Sequence, residues 1–165
     1  MTRAVLSLGS NLGDRLGYLR LAVAGLAEVL VSASPVYETK AWGIEDQPDF
    51  LNAVIVVDDP GADAWAWLRR GQALEKQAGR VRTHQWGPRT LDVDVVTVDG
   101  VTSDHPDLLL PHPGTPDRAT VLIPWLAVDP SADLPGHGPV KLLLAALSDQ
   151  SKEDVHLRED LTLTP

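Results

Sequence analysis

The chain has 165 residues, a net charge of −9, an apolar fraction of 44% and a charged fraction of 22%, the proportions of one ordinary globular domain spanning 1–165 that can bury its own core. It has no cysteine, which excludes a disulfide framework and a thiolate zinc site, and its acidity argues against bulk binding to nucleic acid or anionic lipid. Ser7, Asn11 and Asp14 interrupt the first apolar residues and no stretch approaches the length of a membrane span, so neither a signal peptide nor a transmembrane helix is expected and the default location is the cytoplasm.

Ala4-Val-Leu-Ser-Leu8 reads as a first strand, and the turn at 9–14 is suited to capping a helix. It is not a phosphate-binding loop, because the spacing and the lysine of that motif are missing. Leu16, Leu19, Val23, Leu26 and Leu30 fall at helical spacing and predict a long amphipathic helix that ends before Ser34-Pro35. Val36-Tyr37 begins or ends an extended segment, and 39–49 is a loop around Trp42. Residues 50–57 form a near-continuous apolar run, as expected of a central strand covered on both faces. Asn52 is the polar exception in it, readable as a capping residue or as a ligand contact.

A second helix is predicted over 63–78, with Ala64, Trp67, Leu68, Gly71, Leu74 and Ala78 as its inward stripe and Gly79 as its stop. Glu75 lies at the edge of that stripe and needs a partner, either Arg80 or Arg82 or a bound ligand. Leu91-Asp92-Val93-Asp94-Val95 then alternates with the period of a strand, so Asp92 and Asp94 project from one face. Two carboxylates that close repel unless a cation lies between them. Mg²⁺ suits such a pair, since it commonly takes one or two carboxylates together with substrate phosphates. Arg80, Arg82, His84 and Arg89 lie just upstream and can meet those phosphates. In a chain this acidic, the local concentration of positive charge points to an anionic small ligand arriving with its own Mg²⁺.

Asp99-Gly100 is a favoured hairpin turn. His112 is held between two prolines, six residues before Arg118, and 120–128 and 140–147 are apolar enough to be helices on the sheet. Residues 148–165 are polar and acidic and are expected to be a loosely held tail. The order strand, helix, strand, strand, helix, strand predicts an α+β sandwich with a ferredoxin-like core and a mostly antiparallel sheet.

These residues resemble the 6-hydroxymethyl-7,8-dihydropterin pyrophosphokinases of folate biosynthesis. The matching stretches are Leu8-Gly-Ser-Asn-Leu-Gly-Asp14, Tyr37-Glu-Thr39, Asp46-Gln-Pro-Asp-Phe-Leu-Asn-Ala-Val54, Glu75 with Gly79-Arg-Val-Arg82, Trp86-Gly-Pro-Arg-Thr-Leu-Asp-Val-Asp94, and Pro111-His-Pro113 with Arg118. They occur in the family's order and reach to about residue 130. The resemblance implies transfer of pyrophosphate from ATP to the pterin hydroxymethyl group, with AMP as co-product. It implies two Mg²⁺ ions held by Asp92, Asp94 and the phosphates, and no covalent intermediate. By position, Arg80 and Arg82 belong to a mobile catalytic loop that Trp86 helps to close. Glu75, Trp86, Arg89, His112 and Arg118 are implied at the nucleotide, and Thr39, Trp42, Phe50, Asn52 and Asp92 at the pterin.

There are departures. Thr120 stands where the family usually has a phenylalanine that stacks on the pterin, so one aromatic wall is missing unless Trp42 or Trp125 substitutes. Lys40 replaces a common proline, Gln85 an occasional arginine, and the segment between Arg82 and Trp86 is short. An inactive or altered-specificity relative with a weakened pterin site is the alternative these departures suggest. Another Mg²⁺-dependent transferase on the same sheet is disfavoured by Phe50, Asn52 and the Trp-Gly-Pro-Arg stretch. An RNA-binding module is disfavoured by the net charge. The expected partners are small molecules, ATP and the pterin, and the expected state is a monomer.

Overall fold

The structure is a computed structural model and describes residues 3–40, 48–79 and 90–164. The elements up to residue 98 are β1 (Arg3–Ser10), α1 (Arg15–Gly25), β2 (Leu30–Ala33), β3 (Tyr37–Thr39), β4 (Phe50–Asp58), α2 (Ala64–Gln77) and β5 (Asp92–Val98). There follow β6 (Ser103–His105), β7 (Leu108–Leu110), a 3-10 turn (Thr115–Asp117), α3 (Ala119–Val128), β8 (Asp133–Leu134), β9 (Gly138–Pro139), α4 (Val140–Ala146), α5 (Asp149–Glu153) and β10 (Val155–Leu157).

Among the described residues the main sheet has six strands, in the order β10-β3-β4-β1-β5 with β2 also on β4, and every pairing is antiparallel. This is the ferredoxin-like arrangement expected from the element order, with the second strand broken at Ser34-Pro35 into β2 and β3. Strand alternation divides the core between the two faces. Leu51, Ala53, Ile55 and Val57 of β4 join Leu6, Leu8, Leu19, Trp67 and Leu74 in a cluster under α1 and α2. Val54 and Val56 join Val5, Val96, Leu122, Trp125 and Val140 in a second cluster under α3 and α4. The apolar run in β4 is therefore a strand buried on both sides, and each fully buried aliphatic side chain in it contributes about 1.5–3 kcal/mol.

Both main helices start as their sequences suggest. The Asp14 and Asp63 carboxylates cap α1 and α2, accepting from the N–H groups of Gly17 and Ala66. Gly79, with φ of +72°, follows the end of α2.

Two expectations are corrected. The first helix stops at Gly25, and Leu30 begins a strand. Leu30 keeps the helical spacing, but the edge of β4 offers backbone partners, and Leu30, Ser32 and Ala33 pair with Val57, Val56 and Ile55. The C-terminal residues are not a loosely held tail. β10 pairs with β3, Arg158 bonds Glu38 at 2.9 Å, Arg20 donates to the Thr162 carbonyl and Leu163 is buried in the first cluster. Backbone and ionic partners hold this segment, and apolar periodicity does not report those. The turn at Asp99-Gly100 returns the chain through one bridge, between Val98 and Val101, before β6 pairs with β7.

No described helix is long and apolar enough to cross a membrane.

Candidate active site

A cavity of about 260 Å³ opens on the sheet face away from α1 and α2. Its floor comes from alternate residues of three strands: Ser7 and Gly9 of β1, Phe50 and Asn52 of β4, Asp92 and Asp94 of β5. The register fixes their relation, because Gly9 lies opposite both Asn52 and Asp92, and Ser7 lies opposite Asp94. Asn52 and Asp92 thus stand two interstrand spacings apart, about 10 Å. Between them there is little room for a side chain, since a Cβ on Gly9 would come within 3.1 Å of Asn52 Nδ2 and the amide would have to shift. The result is a floor with glycine at its centre, an amide at one side and two carboxylates at the other.

The polar groups on this floor are oriented by neighbours. Thr39, 3% exposed, donates from Oγ1 to Asn52 Oδ1 at 2.6 Å, which leaves Asn52 Nδ2 as a donor toward the cavity. Glu75 is not on the lining. It is 5% exposed on α2, and its Oε2 accepts the Val93 N–H at 2.9 Å, so it fixes the backbone between the two aspartates. β5 is the last strand of the sheet, and this carboxylate takes a donor that a further strand would otherwise take. Asp92 and Asp94 are half-buried.

The segment from Asp117 to Val121 forms one wall, with Arg118 between the 3-10 turn and α3. The Arg118 guanidinium lies close over Gly114, where a Cβ would sit 2.8 Å from Nε. His112 is anchored by its N–H to the Val96 carbonyl at 2.9 Å. Burial pushes its imidazole below the ordinary value, the Arg118 charge pushes the same way, and Asp92 opposes both. His112 therefore lies within electrostatic reach of Arg118 and Asp92, although it does not line the cavity.

Of the residues singled out in the sequence, Thr39, Phe50, Asn52, Asp92, Asp94 and Arg118 meet in this cavity, and Thr120 joins its wall. Trp42, Arg80, Arg82, Trp86 and Arg89 lie outside the described residues. Trp125 does not line the cavity. It is 3% exposed in the second core cluster and borders a different groove, with Arg3 and Val31. Sequence reasoning missed Ser7, Gly9, Asp117, Ser151, Asp154 and Val155 as lining. Ser7 and Gly9 could have been found by carrying the strand alternation into β1, whereas nothing in the sequence pattern marks the C-terminal three. Among the described residues no three His, Cys, Asp or Glu side chains converge as a metal cage.

Comparison with known proteins gives this geometry a context. The family model described as "7,8-dihydro-6-hydroxymethylpterin-pyrophosphokinase (HPPK)" matches residues 5–130. The 2-amino-4-hydroxy-6-hydroxymethyldihydropteridine pyrophosphokinase of Mycobacterium tuberculosis is 49% identical over 95% of this chain and 90% of its own length. The protein of that name from Methylorubrum extorquens is 38% identical over 94% of this chain and 99% of its own. Among solved structures, an HPPK-DHPS in complex with substrates aligns with a TM-score of 0.67 at 12% identity, over 88% of this chain. A Plasmodium falciparum HPPK-DHPS triple mutant aligns with a TM-score of 0.70 at 13% identity, over 93%. The chain spans less than half the length of those two solved chains, 43% and 46%, and the likeness to them is one of fold. With whole-length identities of this size and a family match that takes in all three floor strands, the chain belongs to the 7,8-dihydro-6-hydroxymethylpterin-pyrophosphokinase family.

Proposed function

We propose that this chain transfers the terminal diphosphoryl group of ATP to the hydroxymethyl oxygen of 6-hydroxymethyl-7,8-dihydropterin in folate biosynthesis, acting as a monomer of one catalytic domain in the cytoplasm. The observation that carries the reading is the row Asn52, Gly9, Asp92 across three strands, which offers a planar heterocycle an amide at one end, paired carboxylates at the other and no side chain between them. In the reaction the hydroxymethyl oxygen bonds the β-phosphorus, the bond from that phosphorus to its bridge to the α-phosphorus breaks, AMP leaves with the bridging oxygen, and the hydroxyl proton passes to solvent. No covalent enzyme intermediate is needed.

Asn52 and Phe50 would bind and orient the ring, the amide by pairing with its polar edge and the phenyl by its face. Arg118 would hold phosphate oxygens by charge-assisted hydrogen bonds. We assign Arg80, Arg82, Trp86 and Arg89 to the triphosphate from the sequence, with Arg80 and Arg82 favouring the transition state over the ground state. His112 would add a largely neutral imidazole beside Arg118, and Glu75 would keep Asp92 and Asp94 in register. Asp92 and Asp94 present only oxygen donors, alternate on one strand face and line the cavity, which fits two Mg²⁺ ions completed by phosphates and water. Bound there, Mg²⁺ would neutralise charge on the phosphates.

One observation favours a second reading, an enzyme with altered pterin specificity: Thr120 stands in the wall where a ring would stack. AMP release from ATP, measured by a coupled assay with and without hydroxymethyldihydropterin, tests the main reading. Release that depends on the pterin is expected, and release that ignores it contradicts the proposal.

A further inference from the structure

The first residue of α1 is a cation, Arg15, at the end of the helix where the dipole disfavours positive charge. Its partners lie elsewhere in the fold. One guanidinium nitrogen, Nη1, donates to Glu38 Oε2 at 2.6 Å and to the Asp49 carbonyl at 2.8 Å. Beside it Asn11, fully buried, donates from Nδ2 to the Pro48 carbonyl at 3.2 Å.

These contacts fall where the chain leaves β3 and where it enters β4. Glu38 is the middle residue of β3, and Phe50 is the first residue of β4. Side chains alternate along β3, so Glu38 turns to the α1 side while Thr39 turns to the cavity. Glu38 lies opposite Leu51, which belongs to the cluster under α1 and α2. Thr39 lies opposite Phe50, and its hydroxyl reaches diagonally to Asn52. Arg15 therefore ties the residue before Thr39 to the residue before Phe50, from the far side of the sheet. Strand ends open at the least cost, and this is the end at which Thr39, Phe50 and Asn52 line the cavity.

We propose that Arg15 is a positioning residue: by bridging Glu38 and the Asp49 carbonyl it holds this end of the β3–β4 pair and presets Thr39, Phe50 and Asn52 for the substrate. The inference rests on the pterin reading given above. Stability is not the main effect, because the Arg15 and Glu38 side chains are 28% and 24% exposed, and ion pairs that open to water contribute little. The effect is preorganisation, since groups already in place need not be ordered when a ligand binds. Arg158 supplies the contrast. It pairs with Glu38 Oε1 at 2.9 Å, but its other carboxylate partner is Asp160, so it makes no bridge from β3 to β4.

Steady-state kinetics of AMP formation by the whole chain, with the pterin and ATP varied in turn, test this. Arg15→Ala is expected to raise KM for 6-hydroxymethyl-7,8-dihydropterin about five- to a hundredfold, the effect of having to order two side chains on binding, with kcat and KM for ATP within about threefold of the unaltered values. Arg158→Ala removes the other ion pair of Glu38 and should leave all three within about threefold. If Arg15→Ala does not fold, Arg15→Met takes its place, because it keeps the apolar stem and loses the donors. An unchanged pterin KM in the folded Arg15 variant overturns the inference. An equal rise in Arg158→Ala also overturns it, since the effect would then follow any loss of charge at Glu38. If the unaltered protein turns over the pterin and either of those results is found, only the role of Arg15 is lost. If the unaltered protein forms no AMP with the pterin, the proposed function and the inference fall together.

Discussion

Asp92 and Asp94 were legible because a strand has a period of two, and any alternation of acidic and apolar residues there puts the acids on one face. The structure adds what alternation alone cannot: Gly9 between Asp92 and Asn52, and Glu75 on the backbone between the aspartates. Asp92→Ala and Asp94→Ala should each lower the rate of AMP formation by at least about 10²–10³-fold, the size of losing one preorganised electrostatic contact. Circular dichroism and the melting temperature should stay near those of the unaltered protein, since both residues are half-buried on the cavity floor. Near-normal turnover at moderate Mg²⁺ would remove them from the phosphate site. On the proposed function, Thr120 bears on the other substrate. It lines the cavity and Trp125 does not, so Thr120→Phe should tighten pterin binding by a few-fold to about tenfold, the worth of one aromatic pair. Unchanged or weaker binding by calorimetry would mean that another side chain already fills that wall.

At the scale of elements, long runs with one period were readable and short partnered segments were not. The strands β1, β4 and β5 and the helix α2 could be placed from periodicity and caps, because their apolar faces are buried on the sheet. β2 was hidden, since Leu30 satisfies a helical pattern as well as a strand, and only the free edge of β4 decides between them. β10 was hidden because its contribution is backbone pairing and ion pairs. Glu38 shows how that segment is held. Burial pushes its carboxyl up, but Arg15 and Arg158 outweigh this and hold it below the ordinary 4.5. A carboxylate with a lowered folded value contributes stability above its unfolded value and loses it as the pH falls through the folded one. Glu38→Gln should therefore melt about 1–4 °C lower than the unaltered protein at pH 7, at up to about 1 kcal/mol per ion pair, with the difference closing below about pH 4.5. A gap that persists at pH 3 would assign the effect to shape. Glu75→Ala should cost more, about 1–3 kcal/mol, because the Val93 N–H would be left buried without an acceptor, and Glu75→Gln should recover much of it. Equal denaturation midpoints for the two variants would contradict that role.

At the scale of the whole molecule, one face of the sheet is covered by helices and the other, on the proposed function, supplies chemistry. α1 and α2 cover the first with a continuous apolar cluster. On the second face the core occupies one end, around Trp125, and the cavity occupies the other, walled by residues 117–121 and closed at the β3 edge by the C-terminal segment. A family resemblance reaching to about residue 130 conveyed the floor and the wall at Arg118. It could not convey the far edge, which is built from residues after it. On the proposed function, a heterocycle and a triphosphate share this one cavity and two phosphoryl groups move together. Product analysis of the purified protein with ATP, Mg²⁺ and 6-hydroxymethyl-7,8-dihydropterin, by chromatography and mass spectrometry, tests this most directly. AMP and the pterin diphosphate are expected in equal amounts, with neither formed when the pterin is omitted. ADP with a pterin monophosphate, or AMP with free pyrophosphate and unchanged pterin, would contradict it.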